Sequence, residues 1–162
     1  MKKRKLFLLH DIPYPDTDGG KKLSLGRIME ALRYFDVTVI AFNYQGINST
    51  ESEVFFRAKG VDFHCYESKY RGRGGLYKAG QYLSSLFTKH PFYCVRLSDE
   101  LFSHYVSDII RKTSPDKVSV ETIFLVSYIE QYINIVNDIE IVFHNIESLF
   151  FKELFKSSNQ IY

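Results

Sequence analysis

The chain has 162 residues, of which 45% are hydrophobic and 25% are charged, and its formal net charge is +2. This composition is typical of one globular domain and excludes a chain that is disordered over most of its length. The small net charge argues against nucleic acid as a partner, and no apolar run is long enough to cross a membrane.

The start of the chain predicts a buried strand. A basic N-terminus precedes only a short apolar run, Leu6 to Leu9, which is too short for the apolar core of a signal peptide. A continuous apolar run of this length is typical of a parallel strand that is buried on both faces. The two cysteines, Cys65 and Cys94, have no metal-binding spacing. We therefore expect a reduced, cytoplasmic protein without a bound metal or other cofactor.

Segments of helical and strand character then alternate. Apolar residues at helical spacing predict a first helix, and they are Leu25, Ile28, Met29 and Leu32. The β-branched and aromatic run 37–42 predicts the second strand. Thr50 and Glu53 form a capping-box pattern, which predicts a helix over 50–59 that ends at Gly60.

The second half continues the alternation. We expect strands at 61–66, 117–121 and 139–143, and helices at 97–114, 124–136 and from 148 onward. Ser98 is the candidate N-cap of the helix that Pro115 ends. This order predicts an α/β fold, with a Rossmann-like, doubly wound parallel sheet in a single domain. Ligands of such sheets bind beyond the carboxyl ends of the strands.

The loop between the first strand and the first helix is the first candidate site. Gly19 and Gly20 would let backbone approach a ligand, and a helix N-terminus suits a phosphate group. The loop lacks the glycine motifs of dinucleotide-binding and P-loop proteins. Asp18 either caps the helix or binds a sugar hydroxyl.

This part of the chain, from Leu6 to Phe42, resembles the start of the glycosyltransferases of family 4. The match is carried by Pro13-Tyr14-Pro15 and Asp18-Gly19-Gly20, followed by Lys21 and Lys22 where such proteins often have Arg or Lys. The order of strand, loop, helix and strand agrees as well. The resemblance implies the N-terminal lobe of a GT-B enzyme.

A second stretch after the last predicted strand is similar to related sugar transferases. It contains His144, Asn145 and Glu147. The resemblance implies that His144 faces the cleft near the donor sugar as a catalytic residue, with Asn145 and Glu147 binding substrate. The residues alone also allow a structural interpretation. His144 would then cap the strand, and Glu147 would lie near a helix N-terminus, where a negative charge is favourable.

Glu121 ends the strand that flanks the central crevice. From there its carboxylate could hold an acceptor hydroxyl, although a Glu at a strand end is more often solvated or a helix cap. Together with Asp18, Gly19, Gly20 and Lys21, it completes the residues that we expect on the substrate side.

The resemblance covers residues 1–162 and implies the acceptor-side lobe of a retaining, metal-independent transferase. The donor would be a nucleotide sugar, and the acceptor a glycan or lipid-linked molecule of polysaccharide or cell-envelope biosynthesis. The C-terminal, donor-binding lobe would lie outside these residues, so we expect no transferase activity from this chain alone. The alternative is a stand-alone Rossmann-like binding domain, or one chain of a two-chain transferase. A reading frame that continues for about 150 to 200 residues would favour the first interpretation.

The segment 69–90 is basic and includes Lys69, Arg71, Arg73, Lys78 and Lys89. Its apolar residues at helical spacing would suit either an ordinary packed helix or peripheral binding to anionic lipid at the inner face of the membrane. Both interpretations stay open at this point.

Overall fold

The computed structural model describes residues 2–43, 48–68 and 99–143. Within these ranges the chain forms five strands, β1 (Lys3–Leu9), β2 (Phe35–Asn43), β3 (Asp62–Glu67), β4 (Lys117–Val120) and β5 (Asp138–Ile141). It also forms three α-helices, α1 (Gly19–Ala31), α2 (Thr50–Ala58) and α3 (Glu100–Thr113). Two short 3-10 helices precede β5, η1 (Ile123–Tyr128) and η2 (Glu130–Tyr132).

All five strands are parallel, in the order β3-β2-β1-β4-β5. The chain first moves from β1 through β2 to β3, and then returns to the other side of β1 with β4. This arrangement is the α/β, Rossmann-like fold that the sequence predicts. The reversal lies between β1 and β4, so the crevice in which such sheets bind ligands lies between those two strands.

Two apolar clusters cover the two faces of the sheet. Because side chains alternate along a strand, Phe7 and Leu9 of β1 pack against α1 and α2, through residues such as Ile28 and Phe56. Leu6 and Leu8 point to the opposite face. There they join the cluster that contains α3, η1 and η2. The central strand is thus buried on both sides, as its continuous apolar run predicts.

The predicted helix 124–136 is wrong as a single α-helix, because this segment forms η1 and η2. Its buried residues are spaced three and four apart, which is also the spacing of one α-helical face: Leu125, Tyr128, Ile129, Tyr132 and Val136. Residues three apart share a face in a 3-10 helix. The apolar pattern therefore identifies the buried side correctly, but it does not separate the two kinds of helix, because residues three apart share a face in both.

Two predicted helix starts need correction by one residue. Ser98 is not the N-cap of α3, because Asp99 occupies that position and accepts from the backbone N–H groups of Leu101 and Phe102 at 3.0 and 3.4 Å. The N-cap residue of α2 is Ser49, whose hydroxyl bonds Glu53 Oε1 at 2.6 Å. Both helices otherwise lie where the sequence predicts them.

Other boundaries agree closely with the sequence. Gly60 has a φ of 73°, a left-handed conformation that ends α2 as the pattern predicts. The strand expected at 139–143 occupies 138–141. Among the described residues, no helix has the length and apolar character needed to cross a membrane. The basic segment 69–90 and the helix expected from 148 lie outside the described residues.

Candidate functional site

The candidate site lies where β1 and β4 end side by side. The backbone N–H of Glu121 donates to the carbonyl oxygen of Leu8 at 2.9 Å, so the segments that contain β1 and β4 stay paired just past the end of β4. Beyond this point, residues 10–18 form the loop that leads into α1, and His10 is exposed at its start. After β4, Thr122 is the N-cap residue of η1, and its side chain accepts a hydrogen bond from the N–H of Phe124 at 3.5 Å.

Asp18 caps α1. Its Oδ1 accepts from the backbone N–H of Lys21 at 2.9 Å, and its own backbone is extended, as an N-cap residue requires. The capping interpretation of Asp18 is therefore confirmed. Its predicted contact with a sugar hydroxyl stays a prediction.

Gly19 and Gly20 form the exposed first residues of α1. A Cβ atom built on Gly19 meets no atom of the described residues within 4 Å, and one built on Gly20 lies 3.3 Å from Asp18 Oδ1. Since neither has the positive φ that would require glycine, the described part of the fold does not explain why position 19 lacks a side chain.

Lys21 turns back to the loop and pairs with Asp11. Its Nζ lies 3.3 Å from Asp11 Oδ2, and the two side chains are only 13% and 9% exposed. The other oxygen of Asp11 accepts from the backbone N–H of Ile12 at 2.8 Å. This pair ties the start of the loop to the first turn of α1. The positive charge of Lys21 is thus already matched by a carboxylate.

Glu121 lies beneath α1, and its side chain is only 1% exposed. Its Oε1 accepts from Ser119 Oγ at 2.7 Å and from Arg27 Nε at 3.2 Å, and its Oε2 accepts from Ser24 Oγ at 3.4 Å. Ser24 and Arg27 stand one to two turns into the helix. The structure therefore surrounds this carboxylate with donors of the chain itself and holds it against α1.

Arg27 extends these contacts to β5. Its Nη2 lies 2.6 Å from Glu140 Oε1, which also bonds Lys5 Nζ at 2.7 Å and Ser119 Oγ at 2.8 Å. Lys117 Nζ lies 2.9 Å from the other oxygen of Glu140. We call Lys5, Arg27, Lys117, Glu121 and Glu140 the ionic cluster. It occupies the α1 side of β1, β4 and β5, beside the apolar contacts of the same helix.

The surroundings of Glu140 favour its charged form. Burial by itself would raise the pKa of this carboxyl group. Hydrogen bonds from Lys5, Lys117 and Ser119 outweigh that effect and lower the pKa from 4.5 to about 2. The sequence does not reveal the ionic cluster, because its members come from β1, α1, β4 and β5 and share no local pattern.

An open groove of about 620 Å³ adjoins the same loop. One of its residues, Tyr14, belongs to the loop, and the others come from α2 and the residues before it: Asn48, Thr50, Glu51, Val54 and Phe55. The rings of Tyr14 and Phe55 stack with centroids 3.9 Å apart and planes within 8°. The sequence singles out Tyr14 only as part of Pro13-Tyr14-Pro15, and it gives no signal that Phe55 would meet it.

Three of the predicted site residues, His144, Asn145 and Glu147, lie outside the described residues. Within the described ranges there is no group of three or more His, Cys, Asp or Glu side chains that could hold a metal ion. Cys65 is a free cysteine in β3, and burial raises the pKa of its thiol to about 11.

A scan against models of known protein families finds no match, and no curated protein matches this sequence. Any function must therefore be inferred from the fold and the residues described above.

Proposed function

We propose that this chain is the acceptor-side lobe of a retaining GT-B glycosyltransferase, which transfers a sugar from a nucleotide-sugar donor to a glycan or lipid-linked acceptor in the cytoplasm or at the inner face of the membrane. The observation that carries the proposal is the exposed glycine pair at the start of α1. It lies at the reversal point of a parallel sheet, where ligands of this fold class bind.

The first turn of α1 supports contact with an anionic or hydroxyl-rich ligand. Its backbone N–H groups carry the positive end of the helix dipole, and Asp18 uses one of them, that of Lys21. With no Cβ at Gly19, a ligand can approach this backbone closely. The pairing of Asp11 with Lys21 keeps the loop in place for such an approach.

The charges of this loop also support the proposal that a second, donor-binding lobe stabilises the departing nucleotide diphosphate. Transfer of a sugar requires positive charge aimed at the departing nucleotide diphosphate. Lys21, which directly follows the glycines, is matched by Asp11 and cannot supply that charge in full. In the proposal, the donor-binding lobe supplies it. The isolated 162 residues should therefore show no turnover of a nucleotide sugar, and detectable turnover would overturn this part of the proposal.

The test is a transfer assay with the protein encoded by the complete reading frame that contains this chain. A panel of radiolabelled nucleotide sugars is offered with glycan and lipid-linked acceptors. Gly19→Ala should lower the rate at least about tenfold, because the added methyl group blocks the close approach while the fold tolerates it.

Gly26→Ala is the matched control, since Gly26 lies in the same helix and is exposed, and a Cβ at this position would meet no atom within 4 Å in the part of the chain that the structure describes. This variant should transfer sugar at the unchanged rate. Absence of transfer from every donor would refute the proposal. Equal rates for Gly19→Ala and the unaltered protein would show that the glycine pair is not part of the site.

A further inference from the structure

The groove beside the loop is built from two elements that are fixed to each other. The hydroxyl of Ser52 in α2 donates to the carbonyl oxygen of Tyr14 in the loop. The Tyr14 ring stacks on Phe55, and Phe55 meets Phe56 edge-on at 5.3 Å. Phe56 is fully buried in the apolar core. The aromatic wall of the groove is therefore anchored to the core and is formed before any ligand arrives.

The chemistry of the lining residues is mixed. Tyr14, Phe55 and Val54 supply an apolar surface, and Val54 is 65% exposed. Asn48, Thr50 and Glu51 supply an amide, a hydroxyl and a carboxylate. An apolar surface with a few polar groups at its margin is typical of sites for small molecules.

The charges of the groove indicate whether it suits an anionic or a neutral small molecule. None of the six lining residues that the structure describes is a cation, although Lys59 Nζ lies 5.9 Å from the centre of the Phe55 ring. Glu51 and Glu53 stand in the first turn of α2. Their negative charges offset the positive potential of this helix N-terminus, which would otherwise attract phosphate. The described lining therefore favours a neutral ligand over a phosphate or a nucleotide. A neutral sugar fits, because a sugar ring has an apolar C–H face and a rim of hydroxyl groups.

We infer that the groove between Tyr14 and α2 binds a neutral sugar ring. The ring lies on the aromatic and aliphatic surface, and its hydroxyl groups bond the amide, hydroxyl and carboxylate at the margin. That this sugar is the acceptor rests on the proposed function, while the binding itself does not. Tyr14 lies in the loop that leads into α1, five residues before Gly19, so a bound acceptor would contact this same loop.

Saturation-transfer NMR on the 162-residue chain tests the binding. The probes are the methyl glycosides of glucose, galactose, mannose and N-acetylglucosamine, with inorganic phosphate and uridine diphosphate as the anionic comparison. At least one glycoside should receive saturation at its ring C–H protons. Inorganic phosphate, observed by phosphorus NMR, should not compete with that glycoside. Failure of all four glycosides to bind, or their displacement by phosphate, would overturn the inference.

Val54→Trp fills the groove from an exposed position without changing the core. It should weaken glycoside binding at least about tenfold while the melting temperature stays unchanged. Leu101→Trp is the control, since Leu101 is 53% exposed and lies on α3, on the other face of the sheet. Equal binding by Val54→Trp and the unaltered chain would show that the sugar binds elsewhere, and would overturn the assignment of the groove as the sugar site.

The transfer assay separates this inference from the proposed function. If glycosides bind and Val54→Trp abolishes the binding, but the complete protein transfers no sugar, the groove stands as a sugar site and the transferase proposal fails. If transfer occurs and Val54→Trp leaves it unchanged, the transferase proposal stands and the groove is not its acceptor site.

Discussion

The guanidinium of Arg27 donates from Nε to the buried Oε1 of Glu121 at 3.2 Å. This contact joins the middle of α1 to the end of β4, two elements that lie far apart in the sequence. The same guanidinium reaches Glu140 in β5 through Nη2 at 2.6 Å. One side chain thus ties the first helix to both strands on the far side of β1.

Loss of Arg27 should destabilise the fold. The carboxylate of Glu121 is only 1% exposed, and Arg27→Leu removes its charged partner. Among the side-chain contacts that the structure describes for it, the hydroxyl groups of Ser24 and Ser119 remain. Removing one partner of a buried ion pair costs about 3 kcal/mol. Urea unfolding should show a loss of that order. Arg57→Leu, at an exposed position of α2, is the control and should change stability by less than about 0.5 kcal/mol. Equal midpoints for the two variants would contradict a stabilising role.

Stability should fall in acid as Glu140 loses its charge. Because its folded pKa of about 2 lies below the ordinary 4.5, this group stabilises the fold above pH 4.5, and the contribution disappears as the pH falls from 4.5 towards 2. The contribution is on the order of 1 kcal/mol after solvent screening. Glu140→Gln should flatten the unfolding free energy across this range. Asp108→Asn should not, since Asp108 is 77% exposed; a similar flattening there would rule out a specific effect.

Cys65 should react slowly at neutral pH. Burial raises the pKa of its thiol from 9.0 to about 11, and the thiolate is the reactive form. In a Cys94→Ser background, alkylation by iodoacetamide at pH 8 should be much slower than that of glutathione, and its rate should keep rising up to about pH 11. Mass spectrometry of the modified chain measures the rate. A rate equal to that of glutathione would show that the thiol is neither buried nor perturbed.

Two glycines should respond to alanine in opposite directions. Gly26 lies in the interior of α1 with no atom of the described residues within 4 Å of an added Cβ, so Gly26→Ala should stabilise the chain by up to about 1 kcal/mol. Gly60 has a φ of 73°, so Gly60→Ala should destabilise it by about 1 kcal/mol. Thermal unfolding of the two variants gives both signs, and two shifts in the same direction would contradict these backbone conformations.

The sheet could be predicted from the sequence because its signals are local. A parallel strand buried on both faces is a continuous apolar run, and Leu6 to Leu9 has that form. The buried face of α1 could be predicted from Ile28 and its neighbours in the same way. The segment after β4 could not be assigned correctly, because buried residues three and four apart occur in both kinds of helix. A few residues of sequence do not contain the information that separates them.

The site could be predicted only in part. The capping role of Asp18 follows from an acidic residue directly before a helix and needs no tertiary information. The surroundings of Glu121 could not be predicted, because its partners Ser24 and Arg27 are more than 90 positions away. In the same way, the sequence places Lys21 on the substrate side without indicating its partner Asp11.

The contacts of α1 have a consequence for the effect of salt. One edge of the helix rests on apolar side chains through Ile28 and Ala31, while the neighbouring edge is held by charge through Arg27. Dissolved salt screens the partly exposed ion pairs and leaves the apolar contacts intact. Added salt therefore weakens the contacts that Arg27 makes at the charged edge more than the apolar contacts. Because the two glycines begin the same helix, the salt dependence of the candidate site should follow from the charged contacts of α1.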